Sequence, residues 1–336
     1  MLPSARARAR RPTGERGKTR WTEHLIGFLH TFGVGLVAIA LLLIFGLSTP
    51  YFLSRANIDN ILIQISIVGV AAIGETMVML MGGIDLSIGS IILVSAVITG
   101  ALTTNHGLGA WPAIGAGLLA ATGIGLVNGI FIAGIGIEPI IVTLGTLIAA
   151  QGLGQAILAN EGSWIQVTNP FFFSLATDQV LTLPAMAVVM LAFYALAAVL
   201  LRDTALGRHI YATGGNRRAA RLAGIPIGRV VVATYALCGL CAGVAGMLEI
   251  AQLGIVSQNV GDGMQFNAIT AVLVGGISLS GGKGRVEKTL LGVLIVGTIT
   301  NYLTFRGVSA YYEQAITGGI ILAAVFLDHA TRRRAQ

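Results

Sequence analysis

Charge is scarce in this 336-residue chain: Asp, Glu, Lys and Arg together make up 10% of it, while 55% is hydrophobic. With a mean hydropathy of +0.83, there is too little polar surface to coat a water-soluble domain. The composition is that of a polytopic membrane protein. Cysteine is nearly missing as well. The two present, Cys238 and Cys241, form "CGLC", a spacing that elsewhere serves redox chemistry or metal binding. Here it lies within the apolar run "VVVATYALCGLCAGVAGML" with no histidine nearby, so both read as small hydrophobes. The five histidines (His24, His30, His106, His209, His329) are scattered and form no metal or nucleophile constellation. No G-x-x-x-x-G-K-[ST] occurs, which excludes a phosphate cradle of that kind. Basic residues interleaved with aromatics are also missing, so nucleic acid is not an expected partner. No metal, bound cofactor or catalytic residue is expected.

What the chain has is apolar length. A helix needs about 20 apolar residues to cross a bilayer. Runs broken by Gly, Pro or charge give ten spans, near residues 26–47, 58–81, 87–103, 112–133, 139–158, 182–201, 230–251, 266–280, 289–304 and 311–327. The basic start (Arg6, Arg8, Arg10, Arg11, Arg16, Lys18, Arg20) precedes a run too long for a signal-peptide core, and no small-residue cleavage pattern follows it. With the N-terminus inside, alternate threading makes 1–25, 82–86, 134–138, 202–229, 281–288 and 328–336 the inner segments. They hold 19 of the 21 Lys and Arg, leaving Arg55 and Arg306 outside. That asymmetry is the positive-inside rule, so the net charge of +7 reports orientation in a lipid membrane with both termini cytoplasmic. The expected organisation is a basic tail over 1–25, a transmembrane domain over 26–327 and a second basic tail over 328–336.

Two polar stretches interrupt this apolar chain, and they are alike: "MGGIDLSIGS" (81–90) and "VGGISLSGGK" (274–283). Gly82, Gly83, Ile84, Leu86 and Ser87 align with Gly275, Gly276, Ile277, Leu279 and Ser280. Asn128, Gly134 and Gly145 align with Asn301, Gly307 and Gly318 after a longer intervening loop in the first copy. Six spans separate the stretches, which implies a parallel internal repeat of the sort common in transporters. Each stretch reads as a helix break, with the glycines ending one span and Asp85 or Ser278 capping the next. Irregular backbone at membrane depth is tolerated only against protein or a water-filled cavity. The fold class is therefore all-α and polytopic, about ten transmembrane helices with interruptions. Glu75, in "AAIGETMVMLM", would cost about 2.5–3.5 kcal/mol as a bare carboxylate in a membrane, so it is expected to face the interior and bond Thr76 or Gln64. Glu75, Asp85, Ser87, Asn128, Thr143, Thr146, Asn267, Thr270, Ser278 and Ser280 are the candidates for lining a translocation path. Each has an alternative reading as a tie between helices.

The inner segment "GRHIYATGGNRRAARLAGIPIGR" (207–229) carries the remaining polar pattern. Asn216 is a good N-cap, Arg217 to Ala223 are helix formers, Gly224 suits a left-handed C-cap, and Pro226 blocks continuation. A two-turn helix on the cytoplasmic side is predicted. It reads either as a basic helix on anionic lipid or as a docking element for a soluble partner. The small residues Ala219, Ala220 and Ala223 favour the second, since lipid-binding helices carry large apolar anchors.

With these motifs in place, the chain resembles the permease subunit of bacterial ABC importers for monosaccharides, the ribose, xylose and galactose type. The resemblance rests on "GGIDLSIGS", "PIIVTLGT", "GRHIYATGGNRRAARLAGI", "AITAVLVGGISLSGGKG" and "RGVSAYYEQAITGGIILAAV", in order from about residue 50 to 330. It implies a permease dimer with a second copy or a homologous permease, ATPase domains on a separate cytoplasmic chain that uses ATP and Mg, and an extracytoplasmic sugar-binding protein. It also implies that the 202–229 loop docks on the ATPase through Gly214, Gly215, Asn216, Arg217, Arg218, Ala219, Ala220, Leu222 and Gly224. "LSGGK" (279–283) looks like the LSGGQ signature of the ATPases themselves, but without a phosphate-binding loop it marks no nucleotide site. One departure is "GMQFNAITA", where Gln265 and Asn267 stand in place of the family's frequent acidic pair. The competing expectation is a self-sufficient secondary carrier using Glu75 or Asp85 for proton coupling; a nucleoside, polyol or furanose signal are the alternative substrates within the ABC architecture.

Overall fold

The structure, a computed structural model, describes residues 33–333. The 1–25 tail, the start of the first expected span and residues 334–336 lie outside the described residues. Helices α1 (Gly33–Ser48), α2 (Arg55–Leu80), α3 (Ile88–Thr104), α4 (Ala110–Ile130), α5 (Pro139–Asn160), α6 (Pro170–Thr177), α7 (Ala185–Asp203), α8 (Ala205–Gly215), α9 (Arg217–Leu222), α10 (Ile227–Leu253), α11 (Met264–Val274), α12 (Val286–Phe305) and α13 (Ala310–Arg333) follow in order. A π-helical turn, Phe131–Ile135, extends α4. Among the described residues six helices are long and apolar enough to cross a membrane: α2, α4 with its π turn, α5, α7, α10 and α12. Helices α1, α3 and α11 are apolar but shorter.

Helices α2 and α10 form the centre. From Ile65 to Leu80 nearly every residue of α2 is buried, which is why its sequence is apolar all round rather than on one stripe. Helix α10 packs on α4 through small residues. A Cβ on Gly125 would lie 2.3 Å from the Tyr235 carbonyl, and one on Gly129 would lie 2.6 Å from Val232 Cα. With no hydrophobic driving force between helices in lipid, such backbone approach supplies the van der Waals contact that holds them. The outer helices α4, α5 and α7 turn Leu119, Ile130, Ile141, Ile148, Leu196 and Val199 outward. A bilayer solvates such a surface and water does not.

The helices alternate between two ends. At one, the Leu80 carbonyl accepts from Gly282 N–H at 2.7 Å, and the Tyr211 hydroxyl donates to the Gly284 carbonyl at 3.0 Å. At the other, β1 (Ile165–Gln166) pairs antiparallel with β4 (Ile255–Val256), and β2 (Gln179–Val180) with β3 (Leu183–Pro184). There Asn105 donates to the Glu161 carboxylate at 2.7 Å, and Gln179 donates to Asp59 at 3.2 Å.

Several expectations change. The span expected over 266–280 is a helix only over Met264–Val274, because Gly275 and Gly276 end it. The tail expected from 328 continues α13 to Arg333. Helix α8 and the short pieces β1 to β3 and α6 had no counterpart in the sequence reading; for α8, polar residues and glycines in "GRHIYATGG" hide the helix period.

Candidate functional site

Three places in the fold gather the polar and glycine motifs. In the first, three glycine-rich segments meet at one end of the bundle. Helix α2 ends with Gly82 in the left-handed region (φ 89°), its N–H donating to Met79 and that of Gly83 to Val78. Helix α11 ends the same way, with Gly276 (φ 85°) bonded to Leu273 and Ile277 bonded to Val272. Both are Schellman caps. The matching pair is Gly82 with Gly276, one residue away from the sequence alignment. Helix α8 ends between the first break and the Gly281–Gly282 loop that follows the second. A Cβ on Gly214 would lie 1.9 Å from the Leu80 carbonyl and 2.7 Å from Gly282 N; one on Gly282 would lie 2.5 Å from Gly215 Cα. The glycines of "LSGGK" are thus there for backbone contact. Burial pushes the Tyr211 phenol up, the Glu287 carboxylate adds to the rise and Arg285 opposes it, so Tyr211 stays a donor to Gly284.

From this junction α9 projects. The Asn216 side chain accepts from Ala219 N–H at 2.9 Å and Gly224 is left-handed (φ 80°), as the capping pattern predicts. The exposed face differs from expectation. Ala220 is buried (4% exposed) and seats the helix, whereas Leu222 is 84% exposed. Arg217, Arg218 and Ala219 are exposed too.

The second place is a buried polar cluster. Glu75, Asp85, Ser87 and Asn128 each have 0% exposure. Glu75 accepts from the Asp85 backbone N–H at 3.2 Å. The expected partner Thr76 instead bonds Ala72 and, at 2.9 Å, Thr289. One Asp85 oxygen accepts from Ser87 N–H at 2.8 Å and from its hydroxyl at 2.5 Å. Asn128 donates to Ser87 at 2.9 Å and accepts from Thr146 at 2.5 Å. Asp85 therefore organises the turn ahead of α3, whose N-cap is Ser87. The cluster ties α2, α3, α4 and α5 together. Thr143 is also fully buried, donating to the Pro139 carbonyl at 2.9 Å.

The third place is a groove of about 990 Å3 between α11, α12 and α13, lined among others by Asp262, Phe266, Asn267, Thr300, Glu313 and Gln314. Residues 254–263 fold back into the protein to reach it, with Gly261 N–H donating to Glu249 at 3.1 Å. Thr270 is buried just below, bonded to the Phe266 carbonyl. Gln265 is buried and turned away toward Gly89. Ser278 and Ser280 belong elsewhere. Their hydroxyls lie 3.1 Å apart in the loop beside the glycine junction, and no helix starts at Ser278. The path candidates thus fall in three separate places. Phe266, Glu313 and Gln314 line the groove as well; the sequence reading did not single them out, because their place depends on how α11 and α13 pack.

A helical membrane protein with interrupted helices, a sealed polar cluster and a capped helix projecting from a backbone junction is built for transport. Its membership is specific: the chain belongs to the family described as "Branched-chain amino acid transport system / permease component", which matches residues 57–325. Permease components carry solute and are not themselves catalysts. The chain is 37% identical over 307 residues to the ribose import permease protein of Bacillus subtilis, covering 91% of this chain and 94% of that one. It is 33% identical over 305 residues to the D-allose transport system permease protein of Escherichia coli (90% and 92% covered). It is 34% identical over 317 residues to the galactose/methyl galactoside import permease protein of the same organism (90% and 94%). No solved structure matches the chain.

Proposed function

We propose that this chain is the membrane-spanning subunit of an ATP-driven importer that carries a monosaccharide, a pentose or hexose, across the bacterial cytoplasmic membrane. The observation that carries the reading is similarity along about nine-tenths of the chain to permeases named for ribose, allose and galactose. The energy comes from a separate cytoplasmic ATPase chain using ATP and Mg, and the solute from an extracytoplasmic sugar-binding protein. The chain crosses the membrane ten times, with α1, α3, α11 and α13 joining the six long spans, and its two glycine breaks are the equivalent points of a parallel repeat. Both termini, α8 and α9 are cytoplasmic. Helix α9 grips the ATPase, and the junction behind it passes movement to both breaks. The α11–α13 groove is this protomer's share of the path, completed by a second copy on the side where α13 leaves Tyr311, Tyr312 and Leu322 exposed.

Orientation and path are checked together by single cysteines in a background lacking Cys238 and Cys241. Asn267→Cys is expected to react with an impermeant thiol reagent from outside, and Arg218→Cys only after the membrane is opened. Outside labelling of Arg218→Cys would invert the topology. Failure of the sugar-binding protein to protect Asn267→Cys on assembly would remove Asn267 from the path.

The grip is checked at Leu222. Burying an exposed leucine on a partner contributes about 1.5–3 kcal/mol, so Leu222→Asp is expected to weaken ATPase co-purification at least tenfold and to abolish ATP-dependent sugar uptake in vesicles. Folding should be unaffected, since the side chain touches little of its own protomer. Uptake that continues without any ATPase, driven by a proton gradient, would make the chain a secondary carrier.

A further inference from the structure

Where the end of α7 meets the start of α12, the surface holds a second cleft, of about 450 Å3, separate from α9 and from the groove. Three guanidinium groups line it: Arg202 in the last turn of α7, Arg208 in α8 and Arg285 just ahead of α12. Glu287 is the lining's single carboxylate. Ala198, Leu201 and Val286 make the remaining wall. The Tyr211–Gly284 hydrogen bond holds the 284–287 segment against α8 and so keeps the cleft's two sides together. Among the described residues, Arg202 pairs only with its neighbour Asp203, at 3.9 Å, and Arg208 and Arg285 make no ion pair.

We propose that this cleft binds the phosphodiester of an anionic phospholipid. Three arginines against Glu287 and the flanking Asp203 leave an excess of positive charge that favours an anion, and the planar fork of guanidinium matches phosphate oxygens in pairs. The position chooses lipid over a soluble phosphate. The apolar wall continues along the same face of α7 through Ala195 and Leu191, the latter two turns before Ala198 and 41% exposed, so a headgroup on the arginines would have its glycerol and acyl chains on a ready apolar track. A free phosphate uses no such wall. Basic pockets between membrane helices at the cytoplasmic side are a recurrent geometry for acidic headgroups. A lipid seated here bridges α7, α8 and the 284–287 loop, the segments that frame the glycine junction.

The test uses the purified full-length permease in detergent, followed by native mass spectrometry and thermal melting with added phosphatidylglycerol, phosphatidylcholine, inorganic phosphate or glycerol 3-phosphate. Wild type is expected to retain phosphatidylglycerol and to melt higher with it. The combined Arg202→Gln, Arg208→Gln and Arg285→Gln variant should retain at least about tenfold less, since each basic contact near a membrane surface contributes about one factor of five to ten. Replacement of the same three by Lys should restore part of the retention. Arg208→Gln alone gives the same direction at smaller amplitude if the triple variant does not assemble. Equal retention by wild type and the Gln variants overturns the proposal. So does equal retention of phosphatidylcholine. Displacement of lipid by millimolar inorganic phosphate or glycerol 3-phosphate would make this a soluble-anion site instead.

Discussion

Gly214→Ala is expected to abolish ATP-driven uptake, while Gly215→Ala, one residue on, is expected to leave most of it. The contrast comes from direction, not from chemistry. At Gly214 the added methyl would sit 1.9 Å from the Leu80 carbonyl and 2.7 Å from Gly282 N, both backbone atoms; at Gly215 nothing lies within 4 Å of it. A side chain could rotate out of the way, but these backbones cannot. The Leu80–Gly282 hydrogen bond that joins the first break to the loop beyond the second would have to open. Overpacking of this kind together with a lost hydrogen bond costs about 2–4 kcal/mol, enough to unseat α8 from the breaks while α2 and α10 stay packed. The expected result is membrane-inserted protein with uptake in vesicles down at least tenfold. ATP hydrolysis by the associated ATPase should then run without transport. Equal uptake by the two alanine variants would show that the junction carries no movement.

Asp85→Leu is expected to prevent stable assembly, and Asp85→Asn to be tolerated. The buried carboxylate accepts from both the N–H and the hydroxyl of Ser87, and Ser87 in turn receives Asn128. Leucine leaves a buried N–H without a partner and sets the hydroxyl adrift, at about 1–3 kcal/mol for each stranded group. Asparagine keeps the accepting oxygen in place and changes little, about 1 kcal/mol or less. Melting in detergent and uptake should fall together for leucine and remain together near wild type for asparagine. If asparagine melts normally, assembles with the ATPase and yet transports nothing, the carboxylate itself works in transport, and its role as the organiser of a turn is wrong.

The two predictions divide along the line between what was legible in the chain and what was not. The membrane class, the two breaks and the capped helix α9 were all readable, because each depends on neighbours in sequence. Apolar length, a Gly–Gly pair and an Asn–x–x–x–x–x–x–x–Gly frame act over a few residues. What Glu75 touches was not readable. Its partner is the Asp85 amide ten residues on, across a turn whose shape depends on Gly82 being left-handed. Nor could the chain say which residue of α9 is left exposed. With six residues, three of them arginine, the helix has no clear apolar stripe, and only its seat in the fold hides Ala220 and presents Leu222.

By itself, then, the sequence determined that this is a polytopic helical membrane protein with two interruptions and one short capped rod, and its motifs carried the resemblance to a permease. Composition, periodicity and capping are local, and the membrane class, the interruptions and the rod follow from them. The tertiary structure decided that the glycines of three distant segments form one backbone junction. It also sealed the acidic cluster within the helices, left the groove between α11 and α13 as the open polar surface, and gathered three arginines from α7, α8 and the loop before α12 around one cleft. Each of those facts depends on which residues far apart in the chain come within a few ångströms. In a bilayer that is settled by shape and backbone approach between helices, which no local pattern records.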